Sequence, residues 1–227
     1  MLNLSLIEEL SRRLKIAPLN IIREHLEMET LYSLSRSALS EHILFYGGTA
    51  LRLAYQSFRY SEDLDFLFIH KTPSLKKGLE QIMQQVTFEN PGTTLEDVFE
   101  KRWTLFGLLH IRHELLKHPI RMKIEIHKKV NGIDNENVLL TSPVSTRQVI
   151  LKVATPQAIL ALKAKTLESR KQPRDWFDYW YLCQRLRFIP QTTLQLPFPK
   201  RLFKNELQRW LPRDQWKAID LAGGFYG

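Results

Sequence analysis

The chain has 227 residues, of which 44% are hydrophobic, and carries 33 Lys plus Arg against 24 Asp plus Glu, a formal net charge of +9. That length and composition give a globular protein with a sizeable core, and exclude a low-complexity or repeat protein. The single cysteine, Cys183, excludes an internal disulfide and a cysteine-cluster zinc site, and reads as a small buried hydrophobe in "WYLCQRL".

The N-terminal stretch interleaves apolar residues with Glu8, Glu9, Arg12 and Arg13, unlike a signal peptide. No apolar run is long enough to span a bilayer, so no membrane partner and a cytoplasmic location are expected. The basic excess suits a polyanion, with nucleic acid the first candidate.

In chain order, residues 3–40 read as two or three helices, with Leu26, Leu31, Leu34 and Leu39 among the apolar positions. "ILFY" is a short buried strand. "TALRLAYQSF" reads as a helix with Leu51, Ala54, Tyr55 and Phe58 on one stripe. "SEDLDFLFIH" alternates, so Leu64, Phe66 and Phe68 face one way and Asp63 and Asp65 the other.

A turn at "KTPS" leads into a helix, "NPGTTLED" reads as a loop, and residues 98–116 hold one or two strands. "RMKIEIHKK" alternates again, with Met122, Ile124 and Ile126 opposite Lys123, Glu125 and His127. "NGIDNEN" is a turn, and "VLLTSPVSTRQVILKVATP" is extended and irregular. From Thr155 to about Leu186 the pattern is helical with one break near Gln172-Pro173. The tail holds a short amphipathic piece near residues 201–210. This order predicts an α+β fold with a small mixed sheet, flanking helices and a helical C-terminal lobe.

A strand ending in Gly47-Gly48 and running into a helix offers bare amides to an anion, with Thr49 as a cap or hydroxyl donor. The same pair also serves as a plain turn, and no Gly-Lys-Ser/Thr follows to make a Walker A loop. Asp63 and Asp65, about 7 Å apart along one strand face, can ligate a divalent cation; the alternative is a solvated face beside Arg59. Glu125, between Ile124 and Ile126, is a candidate third carboxylate or an exposed strand residue. Lys163 lies on the apolar side of its helix, one turn from Ile159 and from Leu167, and either snorkels or points into a cleft. Asp175 and Asp178 share a helix face, Asp175 in the first turn, where the helix dipole alone favours it.

Taken together, "FYGGTALRLAY…FRYSEDLDF" and "AILALKAKTLESRKQPRDWFDYWYL" resemble the AbiEii-type nucleotidyltransferase toxins of bacterial toxin–antitoxin and phage-defence systems, within the polymerase-β-like superfamily. The resemblance covers some two-thirds of the chain. It implies a nucleotidyltransferase palm with N-terminal helices over residues 1–150 and a helical lobe over 151–227 that completes the cleft. It further implies that Gly47, Gly48 and Thr49 hold the triphosphate of an NTP substrate, that Arg59 and Ser61 belong to the same motif, and that Asp63 and Asp65 bind Mg²⁺ or Mn²⁺. Lys163 matches the family's helical lysine and Asp175 its late aspartate, with Asp178 in the same nucleotide-binding block; Glu125 is placed as the third palm carboxylate. The implied reaction is NMP transfer to an acceptor, RNA and in particular tRNA, with an antitoxin protein as partner. Tyr46 departs from the family pattern ahead of the glycines, and the segment after about residue 190 is short. The competing readings are a metal-dependent nuclease using Asp65 and "EIHK", and a non-catalytic RNA- or partner-binding module.

Overall fold

The computed structural model describes residues 2–70, 75–128, 132–190 and 194–226. The N-terminal helices are α1 (Leu4–Leu14) and α2 (Pro18–Ser35). Asn3 caps α1 by accepting from Leu6 N at 2.9 Å, and Lys15 ends it in the left-handed region at φ 52°. Pro18 then opens α2 at a position where its missing N–H costs nothing. α2 is buried on nearly every side, Glu24 and Glu27 included. Glu24 binds Arg52 Nε at 2.6 Å and Ser142 Oγ at 2.6 Å, and burial holds the Glu27 carboxyl well above the usual range.

A 3₁₀ turn (Ala38–His42), which holds Leu39, leads to β1 (Ile43–Tyr46), α3 (Gly47–Leu53) and β2 (Asp63–Phe68). Then follow α4 (Leu75–Glu89), β3 (Thr93–Glu100), β4 (Thr104–Ile111), β5 (Ile120–His127), β6 (Asn135–Leu140) and β7 (Val149–Ala154). The C-terminal helices are α5 (Pro156–Ser169), α6 (Pro173–Leu186), α7 (Lys200–Leu207) and α8 (Lys217–Phe225). Thr155 caps α5 through Ala158 N at 3.2 Å, and Pro156 and Pro173 open α5 and α6.

Among the described residues the strands form one seven-stranded mixed sheet in the order β3-β4-β5-β2-β1-β7-β6. β2 pairs with β5 and β1 with β7 in parallel; the other neighbours are antiparallel. α4 packs on the buried face at Gly107, where a Cβ would collide with Met83 Sδ and lie 3.3 Å from Leu79 Cδ2. Leu64, Phe66, Ile124 and Ile126 fill that core. A second cluster, around Phe177, Phe203, Ile219 and Tyr226, forms the core of the C-terminal lobe. The division expected at residue 150 falls inside β7.

Four local expectations are corrected. The helix after the glycines stops at Leu53, because Gln56 turns the chain at φ 62°, so Phe58 is not on its stripe. Thr93–Asp97 belong to β3 rather than to a loop. Residues 138–140 and 149–154 are not irregular but belong to the paired strands β6 and β7. The turn expected over 131–137 gives way to β6 from Asn135; its first residue, like the turn over 71–74, lies outside the described residues. α8 had no counterpart in the sequence reading.

Candidate active site

The alternation of β2 sends Leu64 and Phe66 into the core and leaves Asp63 and Asp65 on the opposite face. Sheet register then sets Asp65 beside Glu125 and Asp63 beside Lys123 on β5, with Tyr46 of β1 on the other side of Asp65. Three carboxylates thus share one patch of sheet, and Lys123 stands among them. Its Nζ is 2.7 Å from Glu125 Oε2 and 3.5 Å from Asp63 Oδ2, while His127 Nε2 is 3.2 Å from Glu125 Oε1.

Burial, reinforced by the Asp63 and Glu125 carboxylates, pushes Asp65 up to about 7. Burial also raises Asp63, against the pull of Lys123. The Lys123 ammonium loses solvation, yet Glu125 and Asp63 more than offset this and raise its pKa. This is a concentration of negative charge that calls for a cation.

The facing wall is built by α5 and α6. Lys163 Nζ lies 2.8 Å from Asp175 Oδ1 and 2.7 Å from Asp178 Oδ2. Arg59 reaches the same Asp178 with two parallel bonds, Nε at 2.7 Å and Nη2 at 2.8 Å, and its Nη1 donates to Tyr60 O at 2.9 Å. Burial would raise Asp178, but Arg59 and Lys163 win and hold it at about 2. Burial would lower Lys163, but Asp178 and Asp175 keep its pKa raised. Two cations and two carboxylates therefore form one buried network. Arg170 Nε stands 3.6 Å from Asp175 Oδ2, and Arg174 pairs with Glu62 beside Asp63.

The glycines fit tightly into this arrangement. Gly47 has φ +85°, and a Cβ there would sit 2.6 Å from Asp65 Oδ2. A Cβ on Gly48 would collide with the Arg59 guanidinium and lie 2.8 Å from Ser61 Oγ. The pair thus lets the start of α3 touch both the carboxylate patch and the Arg59 loop. Thr49 is 1% exposed, and its hydroxyl donates to Asp63 O at 2.6 Å, so it ties α3 to β2.

Between the walls lies a cavity of about 240 Å³. Gly47, Gly48, Arg59, Ser61, Asp63, Asp65, Glu125, Lys163 and Asp175 all line it; Asp178 sits behind Lys163 at 1% exposure. Lys123, His127, Thr166, Arg170 and Arg174 line it too and were not singled out from sequence. Lys123 carried a signal, since it alternates onto the face of Glu125. Arg170 and Arg174 flank the α5–α6 break and look like solvated cations until the turn folds them inward.

Among the described residues no three His, Cys, Asp or Glu side chains are arranged to hold a metal ion by themselves. Lys123 occupies the gap between Asp63 and Glu125. The donor chemistry nevertheless fits a hard divalent cation. The donors include the carboxylate oxygens of Asp63 and Asp65, whose pKa values burial raises, and Mg²⁺ needs only one or two carboxylates when substrate phosphates and water complete its shell.

A sheet carrying carboxylates against a wall of lysine and arginine can hold a cation and a phosphate group together. Residues 29–218 match the family described as Nucleotidyl transferase AbiEii toxin, Type IV TA system, and the chain belongs to that family. It is therefore a nucleotidyltransferase of a toxin–antitoxin class, for which the family implies a nucleotide substrate and a cognate antitoxin. The fold is similar to that of JHP933 from Helicobacter pylori, with TM-score 0.61 and 17% identity over 93% of this chain and 91% of that one. It is also similar to MenT4, a nucleotidyltransferase toxin from Mycobacterium tuberculosis H37Rv, with TM-score 0.56 and 15% identity over 100% of this chain and 90% of that one. No curated protein matches the sequence. Among the described residues no helix is long and apolar enough to cross a membrane.

Proposed function

We propose that the chain moves a nucleoside monophosphate from an NTP to an RNA acceptor in the cytoplasm, with tRNA the acceptor that the family resemblance favours. Asp63 and Asp65, with Glu125 as third carboxylate, would hold Mg²⁺ or Mn²⁺. When bound there, the cation supplies Lewis acidity toward phosphate oxygen. The observation that carries this reading is the register of Asp65 beside Glu125, next to Asp63, with Lys163 lining the same cleft.

In this reading Lys163, with Arg170 and Arg174 at the cleft rim, neutralises the triphosphate. The backbone of Gly47 and Gly48 approaches the phosphates closely, and the Ser61 hydroxyl donates to them. The acceptor hydroxyl loses its proton to Glu125, its oxygen attacks the α-phosphorus, and pyrophosphate leaves with the broken P–O bond. Asp175 orients Lys163 directly. Arg59 and Asp178 act through it, since Asp178 binds both Arg59 and Lys163. Thr49 acts as a structural tie rather than a phosphate ligand.

The nuclease reading leaves Lys163 and its network without a task. The test is incubation with each NTP labelled at the α-phosphate, Mg²⁺ and total RNA. Labelled RNA is expected with the wild type and none with Asp65→Asn; transfer retained by Asp65→Asn refutes the site assignment, and shortened RNA without label refutes the reaction.

A further inference from the structure

The floor of the cleft does not stop at its rim. The row that begins with Tyr46, Asp65 and Glu125 continues in register to Phe106 on β4 and Phe99 on β3. The alternation of β4 buries Leu105, Gly107 and Leu109 beneath α4, so Phe106 and Leu108 lie on the face that carries the carboxylates. α5 and α6 cover that face over the cleft, where Ile159, Leu162 and Lys163 line it. Phe99 and Phe106 lie outside the cavity lining and are half-buried.

The two rings stack, with centroids 5.0 Å apart and planes 18° from parallel. Lys101 Nζ sits over both, 5.6 Å from the Phe99 centroid and 5.1 Å from that of Phe106. Lys128 pairs with Glu100 and donates to Lys101 O at 2.9 Å, which fixes the hairpin and neutralises Glu100. Asp97, in register with Leu108, is a carboxylate on this face of the hairpin, and Glu96 beside it pairs with Arg121. With a strand spacing of about 4.8 Å, Phe106 stands one step and Phe99 two steps from Glu125.

We propose that Phe99, Phe106 and Lys101 form a stacking platform for the terminal bases of a single-stranded nucleic acid, the end of the acceptor that reaches the cleft. The proposal rests on the function proposed above. Two observations assign the platform to the acceptor rather than to the incoming nucleotide. The glycine pair, Ser61 and Lys163 lie on the β1, α3 and α5 side of Asp65, whereas the rings lie on the other side, beyond Glu125. The chemistry is also that of a strand: paired aromatic faces accept any base, and a lysine above them meets the adjoining phosphate.

The test measures binding of a fluorescein-labelled oligoribonucleotide by anisotropy, without NTP, at fixed salt. The double variant Phe99→Leu/Phe106→Leu keeps apolar volume and removes stacking. Its affinity is expected to fall about tenfold with the melting temperature held. Wild-type affinity in the double variant overturns the platform. A loss of nucleotide affinity in place of RNA affinity overturns the assignment to the acceptor. Should the double variant fail to fold, photocrosslinking of a terminal 4-thiouridine to the wild type decides: attachment within residues 93–111 supports the proposal and attachment elsewhere refutes it. If ring-dependent RNA binding holds but no NMP transfer is found, the proposed reaction fails and the platform stands. If transfer occurs and both rings are dispensable for binding and transfer, the platform alone fails.

Discussion

Asp178→Asn removes one negative charge from a buried charged network. Asp178 is 1% exposed and accepts from Arg59 at 2.7 and 2.8 Å and from Lys163 at 2.7 Å. After the substitution Lys163 keeps Asp175, while Arg59 loses the carboxylate it binds. Breaking a buried pair from one side costs about 3–5 kcal/mol, a large share of the roughly 5–15 kcal/mol that holds a domain together. For a chain of this size that is a fall in melting temperature of roughly 6–20 °C.

The pH dependence provides a second check with a definite sign. Asp178 is held at about 2 when folded, below its ordinary value near 3.8. Its stabilisation is thus fully present above pH ~4 and is lost as pH falls through about 2, roughly 2–3 kcal/mol in all. The variant has no such group, so the stability gap between it and the wild type should narrow over that window. Urea titrations at neutral pH and at several acid values measure both quantities. A neutral-pH loss below about 1 kcal/mol, or a gap that stays constant into acid, would refute the claim that these charges form one buried unit.

Gly47→Ala forces a Cβ against Asp65 at φ +85°, and should destabilise the fold by about 1–3 kcal/mol and abolish transfer; thermal melting and the labelled-NTP assay measure the two effects. Lys163→Met removes the buried ammonium facing the carboxylate patch and should reduce transfer at least ~100-fold, with kcat rather than acceptor binding carrying the loss. Lys123→Met takes away the ammonium that stands between Asp63 and Glu125, and is expected to tighten Mn²⁺ binding in an electron paramagnetic resonance titration. Unchanged Mn²⁺ affinity would show that Lys123 does not compete with the cation. Cys183 is 1% exposed and its thiol is pushed up to about 11, so iodoacetamide should modify it only as the chain unfolds.

How legible these features were depended on where each residue derives its meaning. β2 could be read directly because its alternation is complete, and the carboxylates lie on the half of the pattern that the core does not need. β3 could not be read, because "TTLEDVFE" is an edge strand with only Thr93 and Val98 buried, and its charges serve to blunt the edge rather than to mark a face. The paired strands β6 and β7 were hidden for a related reason: β6 begins with "NEN" on the other edge, so polarity there reads as a turn. The depth of Lys163 was visible as a lysine on an apolar stripe. Its carboxylate partners were not visible, since helical spacing places Asp175 and Asp178 on one face but cannot say which of them looks into the cleft and which lies behind the lysine.

Arg59 follows the same logic one step further. The family resemblance places it in one motif with "SEDLD", and only the fold brings Asp178, 119 positions later, within bonding distance of its guanidinium. That single long-range pair changes what the motif does. Its arginine joins the nucleotidyltransferase sheet to the helical lobe, and the lysine that lines the cleft is positioned by the same carboxylate that holds the lobe in place. Loss of Arg59 should therefore loosen the lobe and displace Lys163 together, so stability and transfer should fall in parallel for Arg59 and Asp178 variants. For Ser61, which borders the cavity without joining the network, transfer should fall and stability should not.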